Sequence, residues 1–328
     1  MKQRTSLLAS MLICTLGASH AFLHSVSPRH LTNSRGTALR GIHEWREAAI
    51  SSNELQSEVK NKNENNRRQW HVDGDSFIIR EIPVLVTGSH RVALQGENIY
   101  LQFTTDSEVR LFQQAIDCHH SIFGLGFLSL EENIIYDKIS LVEIEDYKMM
   151  GDEFGIFLSA KVVGRADMLA FDDSSKDEAL EERDVVPAMV SEICHRKEPL
   201  SLSEVSQLGS MVEQLIAKLC TTENESEMLL FGSEQDRWDR YQEAYRQALE
   251  SDSLDYLSLS SDETDDANAV YSWKELNAIS WAAFSTNECL ARDETYRLAA
   301  LDNDCLTNRL KLAAYWLSDV LLDVSQAR

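Results

Sequence analysis

The chain has 328 residues, 43% of them hydrophobic, enough for a proper core and one to three domains. Its formal net charge is -23, from 31 basic and 54 acidic residues. A chain this acidic is repelled by phosphate backbones and anionic lipid, which argues against the nucleic-acid-binding class.

The charge is uneven along the chain. Residues 1–43 carry Lys2, Arg4, Arg29, Arg35 and Arg40 and no acidic residue, so only 26 basic residues accompany all 54 acidic ones in the remainder. Residues 1–21 have a basic start, an apolar run at 7–16 and the small-residue exit Ser19-His20-Ala21. That is the form of a signal peptide, too short to span a membrane and stay. Residues 22–43, rich in Ser, Thr and Arg, have the composition of an organelle transit peptide. Joined at Ala21-Phe22, the two segments resemble the bipartite leaders of algae with secondary plastids and imply delivery to the plastid stroma. The alternative is a secreted protein with a basic pro-segment. No other apolar run is long enough for a membrane helix, and stable membrane insertion is not expected. The six cysteines (Cys14, Cys118, Cys194, Cys220, Cys289, Cys305) are widely spaced and do not form a disulfide framework.

Residues 44–76 are polar and mixed and read as linker. A β-rich domain is expected over residues 77–200. In residues 81–103, Ile82, Val84 and Val86 form one alternating run and Ile99, Leu101 and Phe103 another. Together they read as a hairpin that opens a core, bent at Leu94-Gln95-Gly96-Glu97, with Pro83 limiting the first strand to an edge or a strand start. Thr105 and Glu108 make a capping box for a helix ending near Cys118. Strands follow at 122–130, where Gly124 and Gly126 leave room for close approach, and at 139–145. Two further apolar runs lie around Val163-Gly164-Arg165 within 154–170. Residues 171–184 are an acidic loop or hairpin.

The period turns helical over residues 201–328. Ser201 with Glu204 and Ser272 with Glu275 are capping boxes, and helices are expected from 201, at 234–250, from 272, at 293–301 and at 304–324. Residues 251–269 are an acidic, serine-rich insertion. Trp238, Trp273, Trp281 and Trp316 read as core. No repeat period is visible.

The order of these parts resembles the Lon protease N-terminal, substrate-binding domain. The resemblance rests on Ile82-Pro83-Val84-Leu85, the turn at Gln95-Gly96, Ile99 to Phe103, Phe123-Gly124, Val163-Gly164-Arg165, Leu301-Asp302 and Arg309-Leu310. The chain departs from that pattern at Gln95, where the family carries proline, and at Phe103-Thr104-Thr105. There is no GxxxxGK[ST] loop, and no segment reads as an ATPase or protease domain. The resemblance implies an α+β fold, a PUA-like β-barrel followed by a helical bundle. It implies a non-catalytic module whose partner is a protein or peptide ligand, an adaptor in plastid protein quality control or complex assembly. Ile99, Leu101, Phe103, Phe123 and Phe127 are the expected peptide contacts, in a groove between barrel and bundle. RNA binding by such a barrel is disfavoured by the charge.

The competing chemistry is a metal- or cysteine-dependent hydrolase using Cys118, His119 and His120, with Cys194 and His195 as further ligands. No CxxC or HxxxH spacing sets two ligands on one element, so neither a metal nor another cofactor is expected. The two histidines read instead as complements to a helix C-terminal dipole. No motif sets a nucleophile against a base, so an enzyme is not expected. Arg165 reads as a structural cap or pair.

Overall fold

The computed structural model describes residues 42, 44–45, 79–129, 134–150, 155–171, 181–193, 198, 200–221, 234–251, 269–285 and 292–326. The leader apart from Ile42, most of the 44–76 segment, residues 172–180 and 252–268, and Cys194, His195 and Cys289 lie outside them.

The strands are β1 (Ile79–Gly88), β2 (Asn98–Phe103), β3 (Ile122–Ser129), β4 (Ile134–Ile135), β5 (Lys138–Met149), β6 (Ile156–Phe171) and β7 (Val185–Glu192). The helices are α1 (Asp106–Cys118), α2 (Leu202–Cys220), α3 (Glu234–Glu250), α4 (Trp273–Ala282), α5 (Arg292–Asp302) and α6 (Leu306–Gln326). The fold is α+β, a barrel followed by helices. β1 pairs antiparallel with β7, then the order runs β6, β5 and β3, and β3 closes the barrel by pairing in parallel with β1. A parallel return needs a long crossover, and β2 with α1 supplies it.

β1 and β2 are not a hairpin. β2 pairs with the first half of β6, in register from Asn98↔Lys161 to Phe103↔Ile156. The 154–170 segment is likewise one strand of 16 residues rather than two runs. A bulge explains how it serves two partners. Leu141 pairs with Gly164 and Val142 with Val162, leaving Val163 as the extra residue. Before the bulge, Ile156, Leu158, Ala160 and Val162 face the helices; after it, Ala166 and Met168 face the barrel interior. One inserted residue reverses the parity of everything that follows. β7 is a strand that the sequence pattern did not mark.

Two cores result. The interior one takes Ile82, Val84 and Val86 from β1 with Ile139, Leu141, Val186, Ala188 and Val190. Gly124 faces this interior: a Cβ there would meet Val84 at 2.8 Å and Ile139 at 2.9 Å, so the glycine makes room for both. Pro83 lies opposite Pro187, and β1 begins its pairing with β3 only at Val84. Two facing prolines have no donors to exchange, and Pro83's missing donor costs little where the pairing with β3 has not yet begun. The interior also holds Ile42 and Trp45, both essentially unexposed, with the Arg80 guanidinium over the indole at 5.8 Å and bonded to the Trp45 carbonyl at 3.1 Å. The end of the transit-like segment and the start of the linker thus contribute two side chains to the barrel.

The second core lies between the outer wall of the sheet and the helices, and runs without a break through both halves. All three capping boxes form, at Thr105, Ser201 and Ser272. Trp281 and Trp316 are fully buried, and Trp238 and Trp273 pack against the same core. Buried Arg165 reaches from β6 to the carbonyls of Leu301 (2.6 Å) and Asn303 (2.7 Å) at the end of α5. From α6, unexposed Arg309 donates to Ser280 Oγ, Asn277 Oδ1 and the same Asn303 carbonyl, and lies 3.8 Å over the Trp281 ring. Glu198 accepts from Leu306 and Thr307 at the start of α6.

Trp45→Ala is expected to cost about 3–5 kcal/mol, the usual loss for a fully buried large aromatic. Equilibrium urea unfolding measures it; a chain beginning at residue 46 should show a loss at least as large.

Candidate functional site

Between the β half and the helices lies a cleft of about 1060 Å³. Its first wall is the 3-10 turn at Ser89–Arg91, the buried Val92 and Ala93, and Glu97 to Tyr100 at the start of β2, with the turn at Gln95-Gly96 joining the two stretches. Gly96 has φ +89, and a Cβ there would strike the α3 backbone at Ala248, 2.6 Å away. Glycine thus permits both the turn and the close approach of the helix. Gln95, where the resembled family carries proline, donates its side-chain amide to Ser251 Oγ at 3.0 Å, just past α3. The departure after Phe103 also has a structural use, since Thr105 caps α1.

The opposite wall is α3, presenting Asp236, Asp239, Arg240, Glu243 and Gln247; α5 closes the end with Glu294 and Arg297. Arg297 holds the floor. It donates to the Val92 carbonyl (2.7 Å) and the Phe284 carbonyl (3.2 Å) and pairs with Glu97 at 2.6 Å. Glu97 in turn accepts from the Leu94 amide at 2.9 Å. The pair is mostly shielded from solvent, at 17% and 23% side-chain exposure, so salt screens it weakly. Eight of the eighteen lining residues are charged, five carboxylates against three arginines.

Of the expected peptide contacts, Ile99 lines this cleft. Leu101 is half-buried against the helix-facing core. Phe103, Phe123 and Phe127 have no exposed surface, and Phe103 meets Phe123 edge-to-face at 6.2 Å. Burial puts these three rings out of a ligand's reach: the alternating pattern marked the right face of each strand, and the helices cover that face. The charged residues that do line the cleft carried no local signal, because α3 is adjacent to β2 only in the folded chain.

Among the described residues, one edge of β2 pairs with no strand. The Val162 amide donates to the Glu97 carbonyl, so the ladder places the peptide groups of 97, 99, 101 and 103 towards β6 and those of 98, 100 and 102 away from it. Arg183 agrees with that phase, donating to the outward Gln102 carbonyl at 2.6 Å while its guanidinium also engages buried Glu108.

Cys118, His119 and His120 sit at the C-terminal end of α1. Cys118 is exposed, and its carbonyl accepts from Arg80 at 3.2 Å. His120, with φ 52, lies 3.8 Å from Glu44. Among the described residues no group of three or more His, Cys, Asp or Glu gathers as a metal site. His119 is not the dipole-stabilised cation expected at a helix end. Burial, reinforced by Arg80 and His120, pushes its pKa down to about 4. Burial also raises the Cys305 thiol above its ordinary value, the opposite of nucleophile activation.

No protein-family profile matches this chain, and no curated protein matches it. Among solved structures it is similar to a Lon N-terminal domain protein from Xanthomonas campestris, at 16% identity and a TM-score of 0.41, covering 72% of this chain and 98% of the other. It is also similar to the N-terminal domain of the Mycobacterium avium complex Lon protease, at 15% identity and a TM-score of 0.40, covering 73% and 99%. No protease or ATPase region is matched. Among the described residues, no helix is long and apolar enough to cross a membrane.

His119 makes stability depend on pH. Its folded pKa lies near 4 and its unfolded value near 6.5, so between them the unfolded chain binds the extra proton. Its contribution is full above pH 6.5 and falls away as the pH drops towards 4. In His119→Phe, the fall in urea midpoint between pH 7 and pH 5 should be smaller than in the parent chain.

Proposed function

We propose that this chain is a non-catalytic polypeptide-binding module that takes up an extended segment in the cleft between barrel and helices. The observation that carries this reading is the open edge of β2 running along a cleft of about 1060 Å³. Small-molecule sites are mostly apolar and enclose their ligand, whereas this cleft lies open and carries charged side chains on both walls. An extended chain can satisfy both features, bonding to the strand edge through its backbone and to the charged walls through its side chains. This is the role the sequence resemblance implies, with the contact surface moved from the buried phenylalanines to Ile99, Tyr100 and the facing side of α3. The leader supplies the compartment, the plastid stroma, where such a module would serve as an adaptor in protein quality control or complex assembly.

The test uses an unfolded, cysteine-alkylated model protein as probe, with fluorescence anisotropy as readout. Asp239 is exposed on the α3 wall, and Asp239→Trp fills the cleft from the solvent side. The substitution should weaken capture by about tenfold or more, equivalent to about 1.4 kcal/mol, with the thermal midpoint unchanged. Capture that ignores the substitution, or no capture at all, would sink the reading. For the site of action, a fluorescent protein fused behind residues 1–43 should accumulate in plastids of an alga with secondary plastids; accumulation in the secretory lumen or medium would overturn the stromal assignment.

A further inference from the structure

We infer that the ligand is a basic extended segment, added as a strand to the free edge of β2. The inference rests on the polypeptide-binding reading and names the chemistry of its ligand.

The edge gives the mode of binding. The outward peptide groups of Asn98 and Tyr100 are bonded by none of the described residues, and they border the cleft. Proteins ordinarily blunt such edges with charge, proline or a covering element, because an open row of donors and acceptors is a template for another strand. Here Arg183 occupies the Gln102 carbonyl and marks where an added strand must stop. An incoming strand therefore registers on Asn98 and Tyr100.

Charge complementarity gives the ligand. Across the cleft from this edge, α3 presents Asp236, Asp239 and Glu243 against Arg240. Arg297 is committed to Glu97 and two backbone carbonyls. Glu243 is already paired with Arg246 at 2.6 Å, Lys161 lies beside Asn98 in register, and Arg91 lines the near wall, so the acidic excess of the lining rests on Asp236, Asp239 and Glu294. Over the whole chain the balance is -23, so the long-range field also draws cations. The exposed face of the edge adds a specific feature. Tyr100 is 77% exposed, and Phe157, at 40%, is its diagonal neighbour on β6. A lysine or arginine alternating along an added strand would lie against the Tyr100 ring in cation–π contact, with Phe157 flanking that ring on the far side. A second copy of this chain is the rival occupant, but pairing two β2 edges would bring two acidic clefts together.

The experiment uses the full chain and three labelled peptides: alternating Lys and Val, alternating Glu and Val, and the Lys-Val peptide N-methylated at every second residue in either phase. The Lys-Val peptide should bind, weaken with added salt, and exceed Glu-Val. One N-methylated phase should bind about tenfold more weakly than the other, since two lost backbone bonds at about 0.7 kcal/mol each amount to that factor. Tyr100→Pro removes one outward donor and leaves the bonds of Ile99 and Leu101 to β6 in place; it should weaken the Lys-Val peptide by about threefold or more, since the ring is lost with the donor. Equal binding of Glu-Val would overturn the basic preference, and equal binding of the two phases would overturn strand addition. Either result leaves the polypeptide-binding reading standing. Failure of all the peptides and of the unfolded probe would remove that reading too. A concentration-dependent dimer abolished by Tyr100→Pro would assign the edge to a second copy and overturn the inference.

Discussion

The joint between barrel and helices depends on bringing two guanidinium groups out of water. Arg165 comes from β6 and Arg309 from α6, and both donate to the backbone at the end of α5 while lying on the Trp281 ring, at 5.6 and 3.8 Å. A buried guanidinium is costly unless its donors are used, so the last carbonyls of α5 must be held where both arginines can reach them. Those carbonyls are the electronegative end of the helix, which suits a cation. The positions are far apart in the chain, in Val163-Gly164-Arg165, Leu301-Asp302 and Arg309-Leu310. In the fold they are one contact.

The cleft follows from that joint. With the end of α5 held against β6, Arg297 one face further along reaches the Val92 carbonyl and Glu97 and anchors the chain entering β2. Gly96 lets α3 approach that same chain until backbone nearly meets backbone. The result is a charged channel with a firm floor and an open strand edge, held by short bonds on each side. The bulge at Val163 completes it, because only a change of parity allows β6 to carry β2 against the helices and then line the barrel interior.

The acidic character of the chain has a physical consequence at this edge. An unpaired strand is an aggregation hazard in a neutral protein. Here mutual repulsion between copies, from a net charge of -23, opposes edge-to-edge pairing while leaving the edge open to an oppositely charged segment. Charge thus acts against self-association at this surface.

Much of the fold was legible in the residues. Short-range physics sets a capping box, so Thr105, Ser201 and Ser272 marked three helix starts correctly, and the 3.6-residue period placed α3 and α6 to within a few residues. The strand runs at Ile82 to Val86 and Ile99 to Phe103 were equally visible, since alternation is a property of the strand itself. What alternation cannot say is which strand lies alongside. The pairing of β2 with β6, the parallel closure of β1 on β3, and the unmarked β7 depend on contacts distant in sequence. The same limit misplaced the expected contacts. Phe103, Phe123 and Phe127 are apolar and face one way, but burial beneath helices is decided by where α1 to α6 come to rest. Sequence alone determined most of the elements, the acidity and the order of a β-rich half before a helical one. Tertiary structure alone decided the bulge parity, the arginine joint and the open edge along the cleft, because each arises where segments separated by tens of residues meet.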